Sequence, residues 1–300
     1  MKKAVLVGPF IGEMFWEFFR FVPFIVWNRL VKYKKYPEIK FIILTRPENF
    51  DMYGLYADIF IPLRILGDGD EYFPDSYRLT NFPQEKYDLI NTIFHQKYSR
   101  EYEIIDHIKP NIEKGFFSQK NQFPKEKMIY DYKPRKENEK IVYNEIINDK
   151  PMVVLAPRYR SQMRRNWYHW DKLYDLIYNS EMMEKFNFII CGKSPDYFPD
   201  KKNRFKDINK ISLNCYSSLI GLTIEILNKS ILTVGSQSAI PNISLLMGTE
   251  ALEWGHQKEL HTQTYNIKNT KVEFLEDHKY KVDSNVVFEK LKNRLLKGEY

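Results

Sequence analysis

Short apolar runs bounded by turn residues alternate along this chain with stretches of helical spacing, the pattern of strand–helix–strand units built on a parallel sheet. Residues 3–7 read as a first buried strand, Gly8-Pro9-Phe10-Ile11-Gly12 as the loop that leaves it, and 13–32 as a helix that Pro23 kinks or divides. Residues 40–45 and 58–63 supply two more strands. From 67 to 150 the pattern blurs, with one helical stretch at 84–98 and a charged run at 133–140 that reads as a linker. A second alternating set starts at Pro151, with strands at 152–156, 188–191, 231–234 and 251–254 and helices at 170–179, 217–228 and 240–247. A last amphipathic helix is expected at 285–296. The predicted class is α/β, with two Rossmann-like domains (1–140 and 141–280) facing a cleft and a C-terminal helical segment over 281–300 packing back on the first. Sheets of this kind bind ligands outside the carboxyl ends of their strands, so the residues just after strands are the ones to read for chemistry.

Composition narrows the picture without identifying a partner. Hydrophobic residues make up 43% of the 300 and charged ones 28%, which excludes collagen-like and wholly disordered chains. The longest apolar stretch, 15–27, is interrupted by Glu17, Arg20 and Pro23 and falls short of the roughly 20 residues a membrane-spanning helix needs. The start of the chain lacks the pattern of a secretory signal, so a cytoplasmic location is expected. Cys191 and Cys215 have no neighbouring ligand spacing and predict neither a disulfide framework nor a zinc site. The net charge of +7 favours acidic partners: phosphates, nucleic acid or an anionic membrane face, against the plain alternative of a solvated lysine-rich surface.

Three clusters follow predicted strands. In the first, the glycines of Gly8-Pro9-Phe10-Ile11-Gly12-Glu13 let backbone approach a ligand, and Glu13 sits where partial desolvation suits a general base. It is neither a Gly-x-Gly-x-x-Gly fingerprint nor a Walker loop. An ordinary first-turn glutamate is the alternative. In the second, residues 156–167, Arg158, Arg160, Arg164 and Arg165 precede Trp167. Their guanidinium forks match diphosphate oxygens, while Trp167 either joins that site or anchors the loop on the core. In the third, Gly235, Ser236, Gln237, Ser238 and Asn242 lead into a helix whose amino end offers donors to phosphate or ribose. Helix capping explains Ser236 or Ser238 as well.

The order of these clusters resembles the GT-B glycosyltransferases, and most of all the ADP-heptose:lipopolysaccharide heptosyltransferase group. In that family a Gly-Asp pair after the first strand supplies the base, which Gly12-Glu13 resembles with Glu in place of Asp. A basic residue ahead of a Trp contacts the donor diphosphate, as Arg164 or Arg165 would ahead of Trp167. The family's Asp-Ser-Gly-x-x-His stretch is similar to residues 237–242, with Gln237 for Asp, Ala239 for Gly and Asn242 for His. The resemblance implies inverting transfer from a nucleoside-diphosphate sugar, a substrate rather than a cofactor, to a hydroxyl on a glycan, glycolipid or modified DNA. It also implies no metal. Glu17, one turn beyond Glu13, is a second candidate base or a like charge that raises the pKa of Glu13.

Other readings stay open on the residues alone. Asp68-Gly69-Asp70 has the spacing of a carboxylate pair that holds a divalent ion on a diphosphate, and also that of a plain turn. The arginine loop with exposed aromatics would suit a non-catalytic nucleic-acid-binding protein, or an enzyme that glycosylates DNA bases. A binding or scaffold module on the same fold is the remaining alternative.

Overall fold

A computed structural model describes residues 1–10, 14–63, 84–110, 123–133, 135–146, 148–158, 166–192, 204–211 and 219–298. They divide into two compact units, Met1–Arg135 and Lys136–Tyr300. Each unit carries one wholly parallel sheet, the α/β class that the alternation predicts.

In the first unit the strands are β1 (Lys2–Val7), β2 (Lys40–Thr45), β3 (Ile59–Pro62) and β4 (Tyr102–Ile108), in the order β3-β2-β1-β4. Ala4 to Val7 and Phe41 to Ile43 are all fully buried, as expected of strands covered on both faces. Alternate residues Ala4, Leu6, Ile42 and Leu44 pack against Tyr87, Phe94 and Tyr98 of helix α2 (Gln84–Tyr98). The helix after β1, α1, runs over 14–32 through alternating α and π turns, the π turns being Glu17–Phe21 and Asn28–Lys32. Pro23 does not divide it. The proline stands in the first turn of the α segment Val22–Trp27, directly after a π turn, where a missing N–H disrupts least.

The second unit has β5 (Met152–Ala156), β6 (Asn187–Ile190), β7 (Lys206–Asp207), β8 (Ser230–Ser236), β9 (Glu250–Gly255) and β10 (Val272–Glu276). Helix α3 spans 136–146, and the longer helices after it are α4 (Trp170–Tyr178), α5 (Leu219–Lys229), α6 (Ala239–Met247) and α7 (Ser284–Leu296). The strand order β10-β9-β8-β5-β6-β7 is that of a doubly wound sheet, whose direction of winding reverses between β5 and β8. Trp167, Trp170 and Trp254 form an aromatic centre for this core, with ring centroids 4.6 to 5.7 Å apart. Val287, Leu291 and Leu295 place the apolar stripe of α7 in the same core. Buried Arg294 fastens that helix to β9 by donating to the Ala251 carbonyl at 2.9 Å and pairing with Glu250. Among the described residues no helix is long and apolar enough to cross a membrane.

Candidate functional site

Of the described sequence-predicted residues, Arg158, Gly235, Ser236, Gln237 and Ser238 fall at or just after the carboxyl ends of the central strands of the second sheet. In the first unit the winding reverses between β1 and β4, and the loop after β1 is tied down there. The Gly8 amide donates to the Ile108 carbonyl at 2.8 Å, and His107 Nε2 donates to the Gly8 carbonyl at 3.0 Å. Burial holds the His107 imidazole below its ordinary pKa, which keeps it neutral and able to make that one donation. Tyr87 Oη donates to the Pro110 carbonyl at 2.7 Å and stands 3.3 Å from the Pro9 carbonyl. Gly8 has φ +87°, and a Cβ there would lie 2.4 Å from the Leu44 carbonyl oxygen. Only glycine fits. Gly12 and Glu13, the next residues of interest, lie outside the described residues, as do Arg160, Arg164, Arg165 and the Asp68-Gly69-Asp70 pair.

Glu17 is fully buried on the first π turn of α1. Its carboxylate accepts hydrogen bonds from Thr45 Oγ1, Asn49 Nδ2 and Tyr53 Oη, each at 2.7 Å, and Arg46 Nη2 lies 3.8 Å away. Burial pushes the Glu17 carboxyl above the usual glutamate range despite the opposing pull of Arg46 and the three donors. Burial, and then the charge of Glu17, drives the Tyr53 hydroxyl well above its ordinary value. With both oxygens engaged and no exposure, Glu17 has the surroundings of an interior anchor for the segment 45–53. Sequence reasoning missed these partners because they lie 28 to 36 residues away, on β2 and the segment after it.

In the second unit the winding reverses between β5 and β8, whose carboxyl ends are where sheets of this kind bind ligands. Arg158 stands two residues beyond the end of β5 and is half-buried. Gly235 pairs in register with Ala156 on the neighbouring strand. A Cβ on Gly235 would sit 3.0 Å from Ala156 Cβ, the Ala156 carbonyl oxygen and Pro241 Cγ, so the small residue lets the two strand ends close up. Ser238 is the N-cap of α6, yet its side chain makes no capping hydrogen bond. Ser236 Oγ and Asn242 Oδ1 are buried with no hydrogen-bond partner among the described residues. Buried polar atoms left unpaired cost on the order of 1–3 kcal/mol each.

Two of the predicted residues are spent elsewhere. Trp167 is 1% exposed, donates Nε1–H to the Val282 carbonyl at 2.9 Å, and anchors its loop on the aromatic core. Gln237 uses its amide within the protein, donating from Nε2 to Gln257 Oε1 and accepting at Oε1 from the His256 amide and from Tyr280 Oη. Cys191 is a buried interior thiol whose pKa burial raises steeply. Among the described residues no three His, Cys, Asp or Glu side chains are grouped to hold a metal ion.

No protein-family model matches the sequence, and no curated protein matches it. Solved structures do. Escherichia coli ADP-heptose lipopolysaccharide heptosyltransferase II superimposes with a TM-score of 0.56 at 11% identity, covering 99% of this chain and 100% of that one. A family 9 glycosyl transferase from Veillonella parvula gives 0.54 at 9% identity, over 100% of this chain and 91% of that chain. The E. coli heptosyltransferase WaaC with ADP-2-deoxy-2-fluoro heptose gives 0.54 at 10% identity, over 97% and 99% of the two chains. The fold is therefore the GT-B fold, of the kind seen in the heptosyltransferases. Identity this low establishes the fold, and the chemistry rests on this chain's own residues.

Proposed function

We propose that the protein is a glycosyltransferase that moves a sugar from a nucleoside-diphosphate donor to an acceptor hydroxyl. The observation that supports this reading lies at the ends of β5 and β8 and the start of α6, where Ser236 Oγ and Asn242 Oδ1 are buried with no hydrogen-bond partner among the described residues, beside a glycine-permitted strand contact. Ser238 and the first amides of α6 add donors. Arg158, with Arg160, Arg164 and Arg165 of the following sequence, supplies cationic forks for the diphosphate. As the glycosidic bond to the diphosphate breaks, these groups meet the negative charge that develops on the leaving group, which makes the reaction metal-independent. Glu13 is the general base that takes the acceptor's proton as its oxygen attacks the anomeric carbon, with inversion. Glu17 positions the segment around it and does not exchange protons with substrate. The fold likeness to heptosyltransferases, one of them solved with ADP-2-deoxy-2-fluoro heptose, supports the choice of donor class.

The test is a thermal-shift screen of UDP, GDP, ADP and TDP and their sugars. A true donor at 100 times its dissociation constant stabilises the fold by about 2.7 kcal/mol. A protein unmoved by all of them, but stabilised by an oligonucleotide with steep salt dependence, is a nucleic-acid-binding module instead.

A further inference from the structure

Arg20 is a buried guanidinium without a counter-charge. It stands on the π turn Glu17–Phe21 of α1, the helix that follows β1, and is 8% exposed, buried yet not sealed from solvent. π turns inside α-helices recur at functional sites. Glu17, three residues earlier on that turn, is not its partner: that carboxylate takes Thr45, Asn49 and Tyr53, and the cation beside it is Arg46. Asp131 accepts from Tyr56 Oη and pairs with Lys133 at 3.3 Å. Among the described residues Arg20 makes no ion pair.

The contacts of the guanidinium are neutral. Its carbon lies 4.5 Å from the centroid of the Phe19 ring. Nη1 donates to Met128 Sδ at 3.8 Å, and Nε is buried with no hydrogen-bond partner. The half-buried Tyr130 directs its hydroxyl to that same sulfur at 3.4 Å. Burial pushes the Tyr130 phenol above its ordinary pKa, with the Arg20 charge pulling the other way, so at neutral pH it keeps its proton. Two strong donors thus converge on one thioether, a weak acceptor without charge. The chain around them is pinned to α1: Ile129 N–H donates to the Pro23 carbonyl at 3.1 Å, and Phe123 packs on Phe21 and Phe24 with ring centroids 5.3 and 5.1 Å away.

Withdrawing a guanidinium from water costs more than neutral contacts return, which is why buried charges are ordinarily paired. We propose that Arg20 and Tyr130 form a binding site for an oxyanion, a phosphate or carboxylate group, which the Nε edge of the guanidinium and the phenol hydroxyl receive as hydrogen-bond donors. Either group supplies the missing charge and more than one acceptor atom. A neutral hydroxyl or amide supplies no charge. The site uses neither Glu13 nor the residues of the second unit, so its failure would leave the transfer reading untouched.

The test is calorimetric titration of the full chain, at fixed ionic strength in a phosphate-free buffer, with inorganic phosphate, glucose 6-phosphate, glucuronate and, as the neutral control, glucose. At least one of the three anions should bind, and glucose should not. Its affinity should fall roughly tenfold or more in Arg20→Met, the worth of a hydrogen bond to a charged group, and about three- to tenfold in Tyr130→Phe. Glucose 6-phosphate binding more tightly than phosphate supports a group carried on a sugar, equal binding of the two supports the free ion, and binding of glucuronate alone supports a carboxylate. Melting temperature separates this role from a packing one. Methionine suits the apolar surroundings and removes the uncompensated charge, so Arg20→Met without anions should melt no lower than the wild type. A lower melting temperature makes Arg20 an interior packing residue and overturns the site. Anion affinity retained in both variants overturns it as well, and so does a wild type that binds none of the three anions.

Discussion

Tyr53 Oη donates to Glu17 Oε1 at 2.7 Å across 36 residues of sequence, joining the first turns of α1 to the segment that follows β2. Thr45 and Asn49 complete the same carboxylate, so one buried side chain holds together the two stretches next to the β1 loop. The loop's own ties, through Gly8 and His107, are separate.

Replacing Glu17 by Gln keeps the shape and exchanges one acceptor oxygen for a donor. That amide then faces a donor on Asn49, or on Thr45 and Tyr53, and the unfolding free energy should fall by about 1–3 kcal/mol in denaturant titrations. The wild-type carboxyl, raised above its unfolded value, binds its proton more tightly when folded, so its contribution is complete below about pH 4.5 and is lost as pH rises through the folded pKa. Glu17→Gln should therefore lack that decline above pH 4.5, and an unchanged slope would contradict the assignment.

His107 has the opposite sign. Its folded pKa lies below the ordinary 6.5, so the unfolded chain takes up a proton that the folded protein refuses. Stability should fall as pH drops below about 6.5, with a limiting slope of about 1.4 kcal/mol per pH unit for one proton. In His107→Asn this slope should vanish, as read from chemical denaturation at a series of pH values between neutrality and pH 5.

Gly235→Ala probes the crevice between β5 and β8. The new methyl meets two backbone-borne atoms of Ala156 and a ring carbon of Pro241 at 3.0 Å, none of them the end of a flexible side chain. Overpacking of this kind costs typically about 1–3 kcal/mol, and here it pries apart the strand ends at the proposed donor site. Nucleotide-sugar affinity should fall along with stability. A variant destabilised in that range but binding normally would move the donor site away from this crevice.

The sequence disclosed the elements whose burial follows a clean period. The helix expected at 84–98 spans those residues, because Tyr87, Asn91, Phe94 and Tyr98 recur on one face and are buried. The strands 152–156 and 40–45 are continuous apolar runs covered on both sides and were equally legible. Strand β4 was not. It is an edge strand of half-covered residues with a register shift opposite Ala4 and Val5, which erases the alternation. Edge strand β10, Val-Glu-Phe-Leu-Glu, was missed because its residues too are only half-covered. Of the candidate site, Gly235, Ser236, Ser238 and Asn242 announced themselves by type and position after a strand. His256, Gln257 and Tyr280 carried no local signal, since their meaning lies in contacts to Gln237 made across 19 to 43 residues.

The central claim, that Glu13 removes the acceptor's proton while the second unit holds the nucleotide sugar, is tested most directly by comparing wild type with Glu13→Gln. The measurement is nucleoside-diphosphate release from whichever donor stabilises the protein, alongside calorimetric donor affinity. The account predicts a turnover loss of roughly 10²–10⁴-fold with donor affinity nearly unchanged. A Glu13→Gln enzyme that releases nucleoside diphosphate as fast as the wild type would contradict it.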